Sequence, residues 1–454
     1  MKNFPILFII SLLPFLISPK NTTSKSSVRH KKLFRHGQSC STDSNCEPGL
    51  NCKFHMCLTS YEVKNYKTLG LSTKDVCGTE KNKCPSGKVC LNYHCEKIKT
   101  NEENSANKPE IDIHLIMAGN LYSKKEVVLS GKQSEVSYNY SRFFKKIKKD
   151  IKHADISIVN PEIIFGSEHF GINSKKNDYV SPDALGKALK KAGFKLILQT
   201  NDHINDKGSK GIELTLNYWK SKYPKIKLLG ITEKKNEEEL PYYIYEKNET
   251  KIGIISYTTF LHKALEKNSA YKINILNNKN EKKIIKDLKE LNSKADFVIA
   301  CVHWGEKATN MPNKNQIKWA KFLSDQDVDL ILGSHPSYVQ PISYVEGKNG
   351  KKTLVYFSLG DLISTSKKEK NSLGALASVI ITKKNGKTYI SSHRVIPLVT
   401  TADKNGINYE SVKLSEYSST VKNMENAVGK KKQKSLKKLN KYETLCHKIF
   451  GYFC

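Results

Sequence analysis

The stretch FKLILQTNDHINDKG, residues 194–208, begins as an apolar strand and ends in a group of polar side chains. Its first half is apolar on both alternating faces, the pattern of a strand buried within a sheet. Its second half contains Asp202 and His203 and closes at Gly208. Ionisable side chains are costly to bury without partners, so their position after a buried strand indicates a functional site at the strand end.

Similar apolar segments surround this stretch along the chain. They are IDIHLIMAG (111–119), ADISIVN (154–160), IGIISYT (252–258), ADFVIACVHW (295–304), VDLILGS (328–334) and TLVYFSLG (353–360). Helical patterns lie between several of them, as in residues 181–193 and 313–326. Strands that alternate with helices predict an α/β domain. Residues 374–398 predict a terminal hairpin that turns at Asn385-Gly386.

Polar side chains cluster at five of these strand ends. The clusters are Gly119-Asn120, Asn160 to Glu162, Asn201 to His203, His303 to Glu306, and Gly333 to Ser337. Binding sites of open α/β sheets lie beyond the carboxyl ends of the strands. One such cluster is an ordinary solvated turn, but five in series favour a convergent site.

The order and spacing of these segments resemble the bacterial capsule-synthesis CapA family, the poly-γ-glutamate capsule (PGA_cap) proteins. The matching pieces are MAGN (117–120), ADISIVNPE (154–162), residues 181–215 around NDH, LLGI (228–231), HWGE (303–306) with the following MPNKNQ, DVDLILGSHPSYVQP (327–341) and VYFSLGDLI (355–363). The resemblance covers about residues 111–400. It implies a four-layer α/β/β/α sandwich similar to the calcineurin-like metallophosphoesterases, with a metal site at one edge.

The resemblance also implies the site residues. Metal ligands would be Asn120, Glu162, Asp202, His303 and His335, and the catalytic residues would be Asp202 and His203, with His203 as general acid. The alternative for Asp202 and Asn205 is helix capping ahead of GIELTLNYW (211–219).

The chain departs from the family pattern at several of these positions. Asn120 stands where the family has Asp, Asp202 where it has Asn, and Asp361 where it has Asn; Ser334 and Ser337 replace two histidines. Amide and carboxylate oxygens both bind hard cations. Because two imidazoles are lost, the remaining set suffices for one divalent ion, Mn, Zn or Mg, rather than two.

Eight cysteines form two similar blocks, CSTDSNCEPGLNCKFHMC (40–57) and CGTEKNKCPSGKVCLNYHC (77–95). So short a segment cannot bury a core, which predicts that disulfides hold it together. A zinc site would require Cys-x2-Cys pairs, and the blocks contain none. The predicted disulfide cysteines are Cys40, Cys46, Cys52, Cys57, Cys77, Cys84, Cys90 and Cys95, with the pairing left open. Such modules bind extracellular protein partners or act as spacers.

The net charge of +32 is carried almost wholly by lysine, since four of the 76 basic residues are arginine. Specific nucleic-acid binding favours arginine, so we do not expect it. Anionic polymers, surface glycans and lipids remain candidate partners. In residues 418–442 the lysine-rich stretch is either a solvated charge run or a contact for such a surface.

Residues 1–19 predict a signal peptide, with an uncleaved anchor as the alternative. The predicted product is a secreted or surface-associated glycoprotein with sequons at Asn21, Asn139 and Asn248. The predicted order is signal peptide (1–19), linker (20–39), cysteine-rich module (40–95), linker (96–110), CapA-like domain (111–400) and basic tail (401–454). We expect Cys446 and Cys454 to pair and Cys301 to be a buried free thiol.

Two functions fit these observations. The first is a secreted metal-dependent hydrolase, or a factor in the synthesis or export of an anionic polymer. The second is a secreted binding protein in which the degraded site no longer catalyses and the cysteine repeats hold the partner.

Overall fold

The computed structural model describes residues 110–172, 179–234, 239–366, 372–403, 407–423, 430–451 and 454, together with four short strands between residues 50 and 97. The predicted signal peptide, the first linker, residues 98–109 of the second linker and half of the cysteines of the module lie outside the described residues. The four short strands pair as two hairpins, β1 with β2 and β3 with β4. In each hairpin the third and fourth cysteines of a block occupy facing register positions, Cys52 with Cys57 and Cys90 with Cys95.

The strands are numbered in chain order. They are β1 Leu50–Lys53, β2 Met56–Thr59, β3 Lys88–Leu91, β4 His94–Lys97, β5 Ile111–Tyr122, β6 Ile156–Glu162, β7 Leu196–Leu198, β8 Lys227–Leu229, β9 Ile231–Glu233, β10 Tyr242–Lys247, β11 Thr250–Thr258, β12 Tyr271–Ile273, β13 Phe297–His303, β14 Leu330–Ser334, β15 Val339–Glu346, β16 Lys352–Leu359, β17 Leu373–Lys384, β18 Lys387–Thr401 and β19 Glu410–Lys413.

The helices are numbered in the same way. They are α1 Lys125–Gly131, α2 Lys148–His153, α3 Ser167–Phe170, α4 Asp183–Ala192, α5 Gly208–Lys222, α6 Glu281–Lys294, α7 Lys314–Ser324, α8 Leu414–Lys422 and α9 Lys430–Phe450, with 3-10 turns at Ser141–Phe144 and Asn278–Asn280.

Two mixed sheets form the body of the domain. The seven-stranded sheet has the order β19-β18-β17-β5-β6-β7-β8, and the six-stranded sheet has the order β10-β11-β13-β14-β16-β15. Strands β5 to β8 run parallel in the first sheet, and β11, β13, β14 and β16 run parallel in the second. All seven strand segments and the hairpin at Asn385-Gly386 that we predicted are present.

Side-chain alternation in the strands builds a core on each face of each sheet. Met117 of β5 faces the space between the sheets, where it shares a core with Leu332 of β14. Its neighbour Ile116 faces the opposite side and packs with Leu189 of α4 and Trp219 of α5. Helices α6 and α7 cover the outer face of the six-stranded sheet in the same way. The predicted four-layer α/β/β/α arrangement is therefore confirmed.

The chain continues in ordered elements beyond residue 400, within the segment that sequence analysis assigned to a basic tail. Strand β19 extends the seven-stranded sheet, and Leu439, Tyr442 and Ile449 of α9 are buried in the core between the sheets. A disulfide joins Cys446 to Cys454, and Cys301 is a buried free thiol, as expected. In the described part of the chain, no helix has the length and apolar character needed to cross a membrane.

Candidate metal centre

The carboxyl ends of the parallel strands from both sheets meet along one edge, here called the crest. Strands β5, β6 and β7 deliver Asn120, Glu162 and Asp202 from the seven-stranded sheet, while β13 and β14 deliver His303 and His335 from the other. This convergence follows from the topology, because parallel strands end at the same edge of a sheet.

Asn120 joins the two sheets at the crest. Its side-chain oxygen accepts hydrogen bonds from Asn160 Nδ2 at 2.9 Å and from the backbone N–H of His335 at 3.0 Å. Its backbone N–H donates to the carbonyl of Gly360 at 2.9 Å. A Cβ on the preceding Gly119 would lie 2.0 Å from that carbonyl, so only glycine permits the two backbones to approach this closely.

Four side chains converge on one point, which is marked by His303 Nε2. This atom lies 3.1 Å from Asp202 Oδ1, 3.2 Å from His335 Nδ1 and 3.6 Å from Glu162 Oε1. Donor atoms bound to one ion at about 2.0–2.2 Å have roughly this separation from one another. We call Glu162, Asp202, His303 and His335 the ligand cluster; one donor atom from each lies within 4.8 Å of all the others.

Burial sets the charge state of the ligand cluster. All four residues are buried, and the Tyr122 hydroxyl is the only hydrogen-bond donor among the described residues near the Glu162 carboxyl group. Burial, followed by the charge of Asp202, raises the pKa of Glu162 well above its usual range. Burial lowers the pKa of His303 well below its usual value and that of His335 to about 4. Neutral imidazoles beside a buried carboxyl group, which a bound cation would hold in its charged form, are the donor set that a divalent cation requires, so these residues fit a metal ion.

Asp202 differs from Glu162 because three histidines and the ammonium of Lys307 surround it. Burial would raise the pKa of Asp202, but the nearby histidines and Lys307 outweigh burial and lower it. Its Oδ1 atom faces the ligand cluster, whereas its Oδ2 atom lies 3.4 Å from His203 Nε2 and 3.5 Å from Lys307 Nζ. The Asp202 carboxylate therefore spans two chemically different sides of the crest.

A second group, which we call the outer cluster, consists of His203, Asp206 and His262. His203 Nδ1 lies 2.7 Å from Asp206 Oδ2, and His262 Nδ1 lies 3.2 Å from Asp206 Oδ1. The His203 ring packs against Tyr179 with centroids 4.1 Å apart. These contacts fix the ring of His203 with its Nε2 atom toward Asp202.

The structure brings all the predicted site residues to the crest. Asn120 lies there, but both bonding directions of its amide oxygen are already occupied by protein donors. The capping alternative for Asp202 and Asn205 is wrong. Helix α5 begins after Lys207 without a side-chain cap, and Asn205 Nδ2 instead donates to the carbonyls of Lys263 and Ala264.

Sequence analysis missed three crest residues: Asp206, Lys307 and Asp361. The signal for Asp206 was its spacing of three residues from His203, and that for Asp361 was its place in SLGDL after a buried strand. Asp361 Oδ1 accepts a hydrogen bond from Asn120 Nδ2 at 3.3 Å, and burial raises its pKa to about 7. Lys307 follows HWGE directly, but its direction depends on loop geometry that the motif does not reveal.

The chain resembles proteins of known family. A profile of the family described as bacterial capsule synthesis protein PGA_cap matches residues 114–366, more than half of the chain. The capsule biosynthesis protein CapA of Bacillus anthracis is 24% identical over 232 residues, covering 50% of this chain and 54% of that protein. The PGA biosynthesis protein CapA of Bacillus subtilis (strain 168) is 27% identical over 179 residues, covering 39% and 44%. The chain thus matches about half the length of these relatives.

Two solved structures show a weaker likeness. The calcineurin-like phosphoesterase YfkN from Bacillus subtilis is 11% identical, with a TM-score of 0.38, and covers 74% of this chain and 99% of its own. A hypothetical protein from Thermus thermophilus is 13% identical, with a TM-score of 0.35, and covers 63% and 99%. With scores this low, the description of the fold rests on the sheets and layers above.

Proposed function

The chain belongs to the bacterial capsule synthesis protein PGA_cap family, and from that premise we propose that it is a metal-dependent phosphoesterase-like hydrolase acting in the synthesis or export of an anionic polymer. The observation that carries the proposal is the convergence of two carboxylates and two neutral imidazoles on His303 Nε2. Purely structural polar clusters satisfy their own hydrogen bonds, whereas the two buried oxygens of Glu162 have at most the Tyr122 hydroxyl as a donor among the described residues.

Glu162, Asp202, His303 and His335 would hold one divalent ion, Mn, Zn or Mg. When bound, such an ion polarises an ester oxygen and lowers the pKa of a coordinated water. The protein's own contribution is rigidity. Glu162, His303 and His335 are each less than 5% exposed and are held at strand ends. His335 has a backbone φ of 97°, a left-handed conformation that costs energy in a non-glycine residue and is typical of functional sites.

His203 would be the general acid. Asp206 accepts the Nδ1 proton of its ring, which leaves Nε2 facing the crest beside Asp202. As a water oxygen bonds to phosphorus and releases its proton to solvent, the scissile P–O bond breaks and the Nε2 proton moves to the departing oxygen, so the products are a phosphate and a neutral alcohol. A carboxylate behind the imidazole stabilises the charged ring before that transfer and fixes its orientation.

The same proposal extends to location and partners. Residues 1–19, a signal-peptide pattern, would direct the protein to the secretory pathway, and the cysteine-rich module would contact an extracellular protein. Exposed lysines of α9, among them Lys437 and Lys441, would face an anionic polymer, glycan or lipid while the other side of the helix packs in the core. Lysine clusters attract such surfaces without base-specific recognition.

A catalytically inactive binding protein is the second candidate, and one feature favours it. Ser337, which replaces a family histidine, bonds through Oγ to Tyr122 Oη at 3.1 Å, and Tyr122 Oη also donates to the carbonyl of His335 at 3.3 Å. This part of the crest is closed by hydrogen bonds among neutral groups. In such a protein the ligand cluster would still bind an ion, but only as a fixed charge that recognises a ligand.

One assay distinguishes the hydrolase from the inactive binding protein. Purified protein loaded with Mn²⁺ is incubated with bis-p-nitrophenyl phosphate and with p-nitrophenyl phosphate, beside the His203→Ala variant. The hydrolase predicts release of nitrophenol that EDTA abolishes. With an alkyl phosphate ester such as glycerol 2-phosphate, whose alcohol leaves only when protonated, the variant lowers phosphate release by about 100- to 10,000-fold. Equal, background-level release from both proteins in the presence of bound metal would favour the binding protein.

A further inference from the structure

Lys307 is the ammonium group closest to the ligand cluster among the described residues. Its Nζ atom lies 3.5 Å from Asp202 Oδ2 and 3.4 Å from His203 Nε2, and these two atoms are themselves 3.4 Å apart, so the ammonium contacts both the proposed acid and the carboxylate. Nearly half of its side chain is exposed, whereas Asp202 is almost completely buried. A molecule that approaches the crest from solvent therefore meets Lys307 before it meets the carboxylates.

The loop that carries Lys307 is firmly held. Gly305 and Ala308, on either side, have backbone φ of 86° and 65°, and the N–H of Ala308 donates to the Pro336 carbonyl at 2.8 Å. Gln340 Nε2 donates to the Thr309 carbonyl at 3.2 Å. A left-handed alanine costs backbone energy, which is tolerated where the surrounding contacts fix the loop for a purpose. The lysine is thus directed at the crest by its backbone.

Asp202 links Lys307 to the ligand cluster through its two oxygens. Oδ1 faces His303, where an ion would be held, and Oδ2 faces the ammonium. A second lysine lies nearby: Lys124 Nζ is 4.4 Å from the centre of the Tyr122 ring, and Lys307 Nζ is 5.6 Å from the same centre. The crest therefore carries positive charge from two lysines beside the ligand cluster.

We propose that Lys307, supported by Lys124, binds an oxyanion group of the substrate at the crest and supplies the positive charge that a two-metal site would draw from a second ion. This inference rests on the proposed metal site, and it adds the substrate class: an ester or polymer with a phosphoryl or carboxylate oxyanion next to the bond that is cleaved. An ammonium accepts either oxyanion as a point charge.

Binding of inorganic phosphate and of glutarate, measured by calorimetry at low salt, tests the proposal. The proteins are the full chain, Lys307→Met, Lys307→Arg and the control Lys321→Met, each with EDTA and again with Mn²⁺. Lys321 is 49% exposed and paired with Asp325, much as Lys307 is 46% exposed and paired with Asp202, but it lies near the start of β14, at the edge away from the crest.

We expect Lys307→Met to weaken binding of the preferred anion at least tenfold in both conditions, while Lys307→Arg and Lys321→Met stay within threefold of wild type. Tighter binding of phosphate would identify a phosphoryl substrate, and tighter binding of glutarate a carboxylate substrate. Wild-type protein should retain one Mn²⁺ per chain after dialysis. Unchanged anion binding by Lys307→Met, or two retained ions per wild-type chain, would overturn the proposal.

The anion-binding experiment and the hydrolase assay can succeed or fail independently of each other. Anion binding that depends on Lys307 in EDTA supports the anion site even when no ester is cleaved. Conversely, if the esters are cleaved but Lys307→Met binds anions as tightly as wild type, the result supports the hydrolase and rejects this inference. Thermal melts of each variant verify that the proteins compared are folded.

Discussion

Asn120 Nδ2 donates to Asp361 Oδ1 at 3.3 Å, across a separation of 241 residues in the chain. The two residues also form a parallel bridge between the end of β5 and the turn after β16. Sequence analysis expects both to depart from the family pattern in opposite directions, with an amide for a carboxylate at 120 and a carboxylate for an amide at 361. The amide and the carboxyl group are thus swapped between the two positions of one buried hydrogen-bonded pair.

We predict that the effects of substitutions at positions 120 and 361 on the free energy of unfolding are coupled. Asn120→Asp alone sets two buried carboxylates against each other and should lower the free energy of unfolding by about 1–3 kcal/mol. Adding Asp361→Asn restores an amide–carboxylate pair and should recover most of that loss. Urea unfolding of the metal-free single and double variants measures the coupling. Strictly additive effects would show that the two side chains act independently.

Glu162→Gln should weaken Mn²⁺ binding by more than about 10- to 100-fold. Losing a group that only orients a metal ligand already costs about this much, and Glu162 is itself a proposed ligand. The reason is that the amide keeps the shape of the side chain but removes the buried negative charge. Titration calorimetry gives the affinity. Glu306→Gln makes the same chemical change on an exposed side chain three residues after His303 and should leave it unaltered. Equal affinities for all three proteins would remove Glu162 from the site.

His203→Ala should retain Mn²⁺ at wild-type affinity and lose about 100- to 10,000-fold in turnover. Asp206→Asn should cause a smaller loss and change the pH dependence of kcat, because the amide still accepts the Nδ1 proton but no longer stabilises the charged ring. Rates of ester cleavage from pH 5 to 9 measure both effects. His153→Ala, on exposed α2, serves as the control. A metal affinity that falls together with turnover would make His203 a ligand instead.

His393 should make the folded protein sensitive to acid. Burial lowers its pKa from 6.5 to about 3, so between these values the unfolded chain binds more protons and stability falls as the pH falls. The slope from such a group is at most about 1.4 kcal/mol per pH unit. His393→Gln should therefore lose less stability than wild type between pH 7 and pH 5 in urea titrations with EDTA. The exposed His153→Gln should match wild type; the same acid sensitivity in His393→Gln would contradict the assignment.

The strand ends could be predicted because each polar group follows an apolar run that only a buried strand explains. This placed Glu162, Asp202, His203, His303 and His335 at one edge before any distance was known. The family pattern added their roles but did not show which side chains Asn120 contacts. One of its partners is Asp361, and a contact so distant in sequence is visible only in three dimensions.

Two further features escaped prediction for physical reasons. Helix α9 was taken for a tail because its lysines dominate its composition, although Leu439, Tyr442 and Cys446 repeat at helical spacing and are buried. The direction of Lys307 depends on the left-handed backbone of Gly305 and Ala308. A positive φ at glycine is common, but at alanine it follows from tertiary contacts that a sequence does not display.

Anomalous diffraction from crystals soaked in Mn²⁺ tests the central claim most directly. The account predicts one strong peak per chain, within about 2.0–2.3 Å of Glu162, Asp202, His303 and His335, and its absence in Glu162→Gln crystals soaked in the same way. A peak centred on the outer cluster instead, or no peak at the ligand cluster in the wild type, would contradict it.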